Sequence, residues 1–190
     1  MPGREAKWAF FDEAVEILEK NGYIRIGFDH FAKASDDLVQ ALQSRSLHWN
    51  SLGYRSGCCV DMIGLGSGSL SRLTPDYYAQ NIYDLEAYER SVWQGRFPVA
   101  RGCWLNADDK IRRDVIHSLR CHLSIDMQSF EKKYDIDFSF YFKDELTRLK
   151  PCQADGLADI SGSLLTITEL GRRFTSHICG LFDAFIGKET

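Results

Sequence analysis

The segment Asp155–Thr168, DGLADISGSLLTIT, carries the pattern of a β-hairpin. Gly156 opens it, Ser161-Gly162 supplies a turn, and Leu164 and Ile167 lie on the returning arm. Short apolar runs separated by a glycine-containing turn favour two antiparallel strands. Helical patterns stand on both sides of the hairpin, and we therefore expect it to be the wing of a winged-helix-like domain.

The helices around the hairpin are predicted from apolar residues at helical spacing. Those before it are Ile111, Val115 and Leu119, then Phe130, then Phe140, Leu146 and Leu149; those after it are Phe174, Ile178, Leu181 and Phe185. Asn106, Asp109, Asp137 and Thr168 stand where helix caps are expected, and Pro151 where the third helix should stop. Three helices, a two-stranded wing and another helix predict a mostly helical domain.

The first half of the chain begins with a predicted helix and strand. An amphipathic helix from Trp8 to Leu18 should stop at Asn21-Gly22, and a strand should run from Tyr23 to Phe28. We expect this strand to end at Asp29-His30-Phe31-Ala32. A helix that leads into a strand is half of an α/β repeat.

Two short motifs predict further elements of this half. Cys58–Ile63 is apolar enough for a buried strand. Thr74-Pro75-Asp76 places proline at a first helical position, so a helix should run through Tyr78 and Ile82 to about Trp93. Gly95-Arg96-Phe97-Pro98 then interrupts the pattern. The prediction is an α/β (α+β) fold with one domain over residues 1–94 and a helical, winged-helix-like domain over residues 95–190.

The composition narrows the classes of function. The chain has 23 Lys and Arg against 27 Asp and Glu with the signs interspersed, so no broad nucleic-acid surface is expected. No apolar run approaches the roughly 20 residues that span a bilayer, and the first residues carry no apolar signal core. The six cysteines form no C-x-x-C pair. We expect a cytoplasmic protein with free thiols.

The loop Gly64–Ser71, GLGSGSLS, would let a ligand approach bare backbone. It is not a standard phosphate loop. A dinucleotide fingerprint needs glycine at Ser69, and a Walker loop needs a Gly-Lys-Ser/Thr ending. A simple turn and the wall of another kind of cofactor pocket are both open interpretations.

Five motifs along the chain together resemble one family. They are GYIRIGFDHFAKASDDL (22–38), GLGSGSLS (64–71), DYYAQN (76–81), DDKIRRDVIHSLRC (108–121) and LTITELGRRF with ICGLFDAF (165–185). In this order they resemble the C-terminal half of oxygen-independent coproporphyrinogen III oxidase, or coproporphyrinogen dehydrogenase, a radical S-adenosylmethionine family. The resemblance covers nearly the whole chain.

The resemblance implies a partial (β/α) barrel whose C-x-x-x-C-x-x-C motif holds a [4Fe-4S] cluster. With S-adenosylmethionine the cluster generates a radical that oxidatively decarboxylates two propionates of coproporphyrinogen III, giving protoporphyrinogen IX in haem biosynthesis. These 190 residues contain no C-x-x-x-C-x-x-C, so the cluster ligands are absent. Residues 1–94 are then expected to be the end of the barrel, and the chain to be inactive alone.

The resemblance also implies a second S-adenosylmethionine in this region. The matching positions are Ser51, Leu52 and Leu70, and Gly66 belongs to the adjoining loop. The family has Phe-Gln where this chain has Ser51-Leu52, so an aromatic platform and an amide are both missing. Leu70 replaces a similar aliphatic residue, and a backbone contact there is retained in this interpretation.

Three further residues are candidates for the substrate pocket. Asp29 and His30 form either an acid–base pair at a strand end or a structural turn. Arg112 could pair with a substrate carboxylate or form a structural salt bridge. We assign no residue as catalytic and none as a metal ligand.

The expected partners are coproporphyrinogen III for the full enzyme and either the missing N-terminal half or a second copy of the chain. No membrane partner is expected. One alternative is a stand-alone tetrapyrrole, haem or S-adenosylmethionine module, in which His30, His48 or His122 would ligate iron. Another is a winged-helix nucleic-acid binder that uses Arg172 and Arg173.

Overall fold

The computed structural model describes residues 3–50, 52–57, 61–73 and 76–186. The chain divides into two compact units, the first from Met1–Gly57 with Arg112–Thr190 and the second from Cys58–Ile111. This division into compact units differs from the predicted domains, residues 1–94 and 95–190. The domain boundary near residue 95 stays a prediction. The mixed helix-and-sheet class is confirmed.

The elements of the first unit start with α1 (Arg4–Lys20), β1 (Tyr23–Ile26), β2 (His30–Lys33), α2 (Asp37–Gln43), β3 (His48–Asn50) and β4 (Gly53–Arg55). The second unit contains β5 (Leu70–Leu73), β6 (Tyr77–Asn81), α3 (Leu85–Trp93) and β7 (Val99–Trp104). The chain continues through α4 (Ala107–His122), β8 (Ser124–Asp126), α5 (Met127–Tyr134), α6 (Phe138–Tyr141), α7 (Lys143–Ala154), β9 (Ala158–Ser161), β10 (Leu164–Ile167), a 3-10 turn (Gly171–Phe174) and α8 (Thr175–Leu181).

The first helix and strand do not form the expected α/β repeat. Helix α1 and strand β1 lie where they were predicted, but β2 pairs antiparallel with β1, with Ile26 opposite His30. The segment Asp29–Ala32 is therefore the return of a hairpin and not the end of a strand. Gly27, at φ 55, provides the backbone conformation that reverses the chain.

The core of this part is built from apolar residues that are distant in sequence. Ile26 and Leu47 are fully buried and cluster with Val39, Tyr54 and the α4 residue Cys121. Ile24 also packs against this core, on the same face of β1 as Ile26, because alternate side chains of a strand point to the same face. This core fixes the β1–β2 hairpin and strand β4 beside α4.

The helical, winged part is largely as predicted. At the start of α4, Asn106 N donates to Asp109 Oδ2 at 3.0 Å and Asp109 N donates to Asn106 Oδ1 at 2.9 Å, a reciprocal capping box. Strands β9 and β10 form the wing, with Gly162 in the turn at φ 58. Strand β8 joins β10 as a third strand.

The ends of two helices differ from the prediction. The segment after Asp137 divides into α6 and α7 at Phe142, and α7 passes through Pro151 to end at Ala154. Proline is tolerated there because it removes only one backbone donor close to a helix end. Thr168 Oγ1 accepts from Gly171 N at 3.0 Å, but it caps a 3-10 turn, and α8 stops at Leu181 before Phe185.

In its described residues, the second unit has a three-stranded antiparallel sheet, ordered β5-β6-β7, with helix α3 between β6 and β7 in the chain. Tyr78 was predicted to be helical, but it lies in β6 and pairs with Arg72 on one side and Cys103 on the other. The helix begins only after Asp84, whose Oδ1 accepts from Ala87 N at 2.9 Å. The predicted helix start at Thr74-Pro75 and the first half of the predicted strand, residues 58–60, lie outside the described residues. In the second half, Met62 forms only an isolated antiparallel bridge with Arg72, and Ile63 is 73% exposed, so this half is not the expected buried strand.

Candidate functional site

A pocket of about 350 Å³ opens in the first unit between the β1–β2 turn, the β3–β4 hairpin, α4 and α8. Its lining residues are Phe28, Asp29, His30, Trp49, Leu52, Gly53, Tyr54, Arg120, Thr175 and Ser176. Pockets that bind small molecules commonly measure about 300–1,000 Å³ and combine apolar walls with a few polar groups. This one has that character, and it contains three of the predicted site residues.

Asp29 and His30 form a close pair at the pocket. Asp29 Oδ1 accepts from the Nδ1 position of His30 at 2.7 Å, and both side chains are partly exposed, at 51% and 39%. The carboxylate therefore favours the tautomer of His30 in which Nδ1 carries the proton. The other ring nitrogen, Nε2, lies beside Gly53. This arrangement suits either the acid–base or the structural interpretation of the pair.

Two glycines allow close packing at the pocket, Gly53 against His30 and Gly27 against Tyr54. A Cβ on Gly53, at φ 114, would stand 2.8 Å from His30 Nε2, and a Cβ on Gly27 would collide with the Tyr54 ring. Tyr54 is buried and donates through its hydroxyl to the Arg120 carbonyl at 3.0 Å. Burial, the largest influence, raises the pKa of Tyr54 to about 12. Its hydroxyl stays protonated and acts as a fixed donor.

Trp49 and Arg120 were not identified from the sequence. The guanidinium of Arg120 lies over the Trp49 indole, 4.1 Å from its centroid, in cation–π geometry. One residue is on β3 and the other on α4, and no local pattern relates them.

The predicted cofactor positions are divided between the two units. Leu52 is 79% exposed at the pocket, whereas its neighbour Ser51 lies outside the described residues. Gly66 and Leu70 belong to the second unit. A shared role for these residues in binding S-adenosylmethionine therefore stays a prediction.

The GLGSGSLS loop is organised by the DYYAQN motif. Asn81 is buried, and its Nδ2 lies 3.1 Å from the Gly64 carbonyl, 3.0 Å from the Gly66 carbonyl and 3.0 Å from Ser69 Oγ. Gly66 N donates to Tyr88 Oη at 3.0 Å. The backbone groups of Gly66 are thus engaged within the unit, while the side chain of Leu70 is 45% exposed.

Arg112 lies in the helical part and not among the pocket residues. Its Nη1 donates to Glu145 Oε1 at 2.7 Å and to the Phe182 carbonyl at 3.1 Å, and both charged side chains are largely buried. The Phe142 ring lies 5.5 Å from the guanidinium carbon. These contacts correspond to the structural salt-bridge alternative, and a substrate contact by Arg112 stays a prediction.

The described cysteines do not fit an iron–sulfur cluster. Among the described residues, no group of three or more His, Cys, Asp or Glu side chains is placed to hold a metal ion. Burial raises the pKa of Cys121 to about 12 and that of Cys179 to about 11, which disfavours the thiolates that iron requires. Cys103 is exposed on β7.

The arginines considered for nucleic-acid binding are engaged within the protein. Arg172 Nη1 pairs with Glu169 Oε2 at 3.0 Å, and Arg172 Nε donates to the Gly27 carbonyl at 3.2 Å. Arg173 forms an ion pair with Asp12. Their internal contacts favour a structural role over phosphate binding. In the described ranges, no helix is long and apolar enough to cross a membrane.

Comparisons of the sequence with protein families and with curated proteins find the same kind of relative. Residues 105–174 match the HemN C-terminal domain. The oxygen-independent coproporphyrinogen III oxidase of Escherichia coli (strain K12) is 36% identical over 98% of this chain and 40% of its own length. The proteins of that name from Synechocystis and Thermostichus vulcanus are 37% and 34% identical, over 41% and 58% of their lengths.

A solved structure agrees with these sequence matches. It is coproporphyrinogen III oxidase (HemN) from Escherichia coli, described as a radical SAM enzyme, and it superposes on this fold with a TM-score of 0.91 at 36% identity. The match covers 97% of this chain and 42% of the solved one. Over nearly its whole length the chain is thus similar to oxygen-independent coproporphyrinogen III oxidases, its residues 105–174 match the HemN C-terminal domain, and it spans about two fifths of the length of the Escherichia coli relative.

Proposed function

We propose that this chain is the part of an oxygen-independent coproporphyrinogen III oxidase that supplies one wall of the ligand site. The full enzyme would convert coproporphyrinogen III to protoporphyrinogen IX by oxidative decarboxylation of two propionates to vinyl groups. The observation that carries this proposal is the superposition on the Escherichia coli enzyme, with a TM-score of 0.91 over 97% of the chain. The two chains are also 36% identical in sequence, and similarity in both fold and sequence supports a common reaction.

The cofactors of this reaction would be S-adenosylmethionine and a [4Fe-4S] cluster. Such a cluster needs three thiolates close together, and the described part of this chain does not provide them. We therefore assign the cluster to a region outside these 190 residues. The cofactor would carry the radical chemistry, and this chain would position the ligand and exclude water.

The partners that follow are coproporphyrinogen III and the cluster-bearing region of the enzyme. The second unit exposes large apolar side chains, among them Trp93 at 88% and Phe97 at 92%. Exposed apolar patches of this kind mark protein contacts. We propose that they meet the cluster-bearing region, or a second copy of the chain when that region is absent. A cytoplasmic location accords with this chemistry.

A chimera tests the proposal. Residues 3–186 would replace the matching segment of the Escherichia coli enzyme, and anaerobic formation of protoporphyrinogen IX would be measured after oxidation to the fluorescent porphyrin. The expected result is turnover that requires S-adenosylmethionine. The same segment of the Escherichia coli enzyme, excised and religated, is the control.

Failure of the chimera to fold can be told apart from failure of the proposal, because cluster absorption and cleavage of S-adenosylmethionine measure the cofactor-binding half separately. A chimera that shows the absorption of a [4Fe-4S] cluster and cleaves S-adenosylmethionine, yet leaves coproporphyrinogen III unchanged, would count against the proposal. The stand-alone haem or tetrapyrrole module is untested by the structure. It would show a Soret band on haem titration of the isolated chain, which the oxidase proposal does not require.

A further inference from the structure

Arg120 is an arginine without an acidic partner at the wall of the pocket. Within the described residues it forms no ion pair, whereas the pocket's carboxylate, Asp29, is engaged by His30. Arg120 instead lies against the face of Trp49, at 4.1 Å, and its side chain also contacts the buried thiol of Cys179. A guanidinium that is oriented by an aromatic ring and not neutralised by a carboxylate is prepared for an anionic ligand.

A second observation concerns one atom of this side chain. Arg120 Nε is buried and finds no hydrogen-bond acceptor among the described residues. Buried donors are nearly always paired in folded proteins, and an unpaired one requires an explanation. Because Nε itself is closed to solvent, the rest of the guanidinium, at the pocket wall, would meet a ligand oxygen; a planar carboxylate can accept two parallel N–H bonds from arginine.

The remaining lining restricts what that ligand is. Trp49, Tyr54 and Phe28 offer apolar surface, and the exposed Ser176 offers a hydroxyl donor. Asp29 would repel a second anion nearby. The pocket therefore favours one carboxylate on an apolar stem over a compact, multiply charged group such as a phosphate.

We propose that this pocket recognises a ligand carboxylate through Arg120, with Trp49 as the platform that orients the guanidinium. The proposal rests on the proposed function, in which two molecules carry such a group. A propionate of the tetrapyrrole and the amino-acid carboxylate of S-adenosylmethionine share this chemistry. Arg120 is then the residue that selects the charged form of the ligand.

Paired probes that differ only in the carboxylate test this proposal on the full chain. The first pair is coproporphyrin III and its tetra-amide; the second is S-adenosylmethionine and its decarboxylated analogue. Binding would be measured by isothermal titration calorimetry for the wild type, Arg120→Gln and Arg120→Lys. Arg148→Gln, which removes an equal charge from a residue that does not line the pocket, is the control.

The expected result is a loss of roughly 10-fold or more in affinity for one acid probe in Arg120→Gln, with partial retention in Arg120→Lys. The preference for acid over amide, or over the decarboxylated analogue, should disappear in Arg120→Gln and persist in Arg148→Gln. Whichever pair shows this behaviour identifies the source of the carboxylate.

Two outcomes would overturn the proposal. One is an unchanged affinity for both acid probes in a folded Arg120→Gln variant. The other is equal binding of acid and uncharged probes by the wild type, which decides the matter even if Arg120→Gln does not fold. Neither outcome depends on turnover, so an active chimera with a charge-indifferent pocket would reject this proposal and leave the proposed function standing.

Discussion

Arg112 and Glu145 form an ion pair inside the helical part of the first unit, with 2.7 Å between Nη1 and Oε1. The two side chains are only 16% and 9% exposed. Removing Arg112 leaves the buried Glu145 with only the more distant Arg148, at 3.6 Å, and breaking comparable buried pairs costs about 3–5 kcal/mol. We expect Arg112→Gln to lower the free energy of unfolding by about that amount, measured by urea denaturation.

Lys20→Ala is the matched control, because Lys20 pairs with Glu16 on the surface and should contribute under about 1 kcal/mol. An Arg112→Gln protein as stable as the wild type would show that this pair is not what holds Arg112. The residue would then regain its place as a candidate for substrate contact.

Asn81 holds the GLGSGSLS loop through its amide group. Asn81→Asp keeps the shape of the side chain, but it removes the donors that face Gly64, Gly66 and Ser69. We expect a loss of about 1–3 kcal/mol and faster hydrogen exchange over residues 64–70. Gln94→Ala, at the exposed end of α3, should leave the loop unchanged. Equal exchange rates in Asn81→Asp and the wild type would contradict this role.

His122 should make stability depend on pH. Burial, with smaller contributions from Arg45 and His48, lowers its pKa from 6.5 to about 4. Between these values the unfolded chain binds a proton that the folded protein does not, so stability is complete above pH 7 and falls as the pH decreases. The expected loss from pH 7.5 to 5 is roughly 1–2 kcal/mol.

The variant His122→Asn cannot take up this proton and should show a shallower decline over the same interval in urea denaturation. Asp114 also makes stability depend on pH, but at lower pH than His122. Hydrogen bonds from Lys133 and Tyr134 outweigh its burial and lower its pKa, so the stability it provides is lost only in more acidic solution. Parallel pH profiles for the wild type and His122→Asn would refute the assignment.

The exposed aromatic residues of the second unit should promote association of the isolated chain. Trp93 and Phe97 are 88% and 92% exposed. We expect the wild type to form dimers or larger species in size-exclusion chromatography with light scattering, and the double variant Trp93→Ser, Phe97→Ser to shift toward monomer. Phe140→Ser, at an 81% exposed residue of the first unit, is the control. A monomeric wild type at high concentration would contradict the prediction.

Local signals predicted the elements whose partners are close in the chain. The hairpin at Ser161-Gly162 and the capping box of Asn106 and Asp109 were recognisable because the interacting groups lie a few residues apart. The segment from Tyr77 to Asn81 was misassigned as helical. This segment is a strand because it pairs with β5 on one side and β7 on the other. The helix was predicted because Thr74-Pro75-Asp76, just before it, has the pattern of a helix start.

By itself, the sequence determined the resemblance to coproporphyrinogen III oxidases, the helix caps and the wing, and it offered Leu52 as a cofactor candidate and Asp29 and His30 as pocket candidates. Only the tertiary structure decided that Arg120 meets Trp49, that Asn81 organises the glycine loop, and that Arg112 faces Glu145. The physical reason is distance along the chain. Caps and turns are set by neighbouring residues, whereas a pocket is made where separate elements pack, and that packing depends on the burial of the whole core.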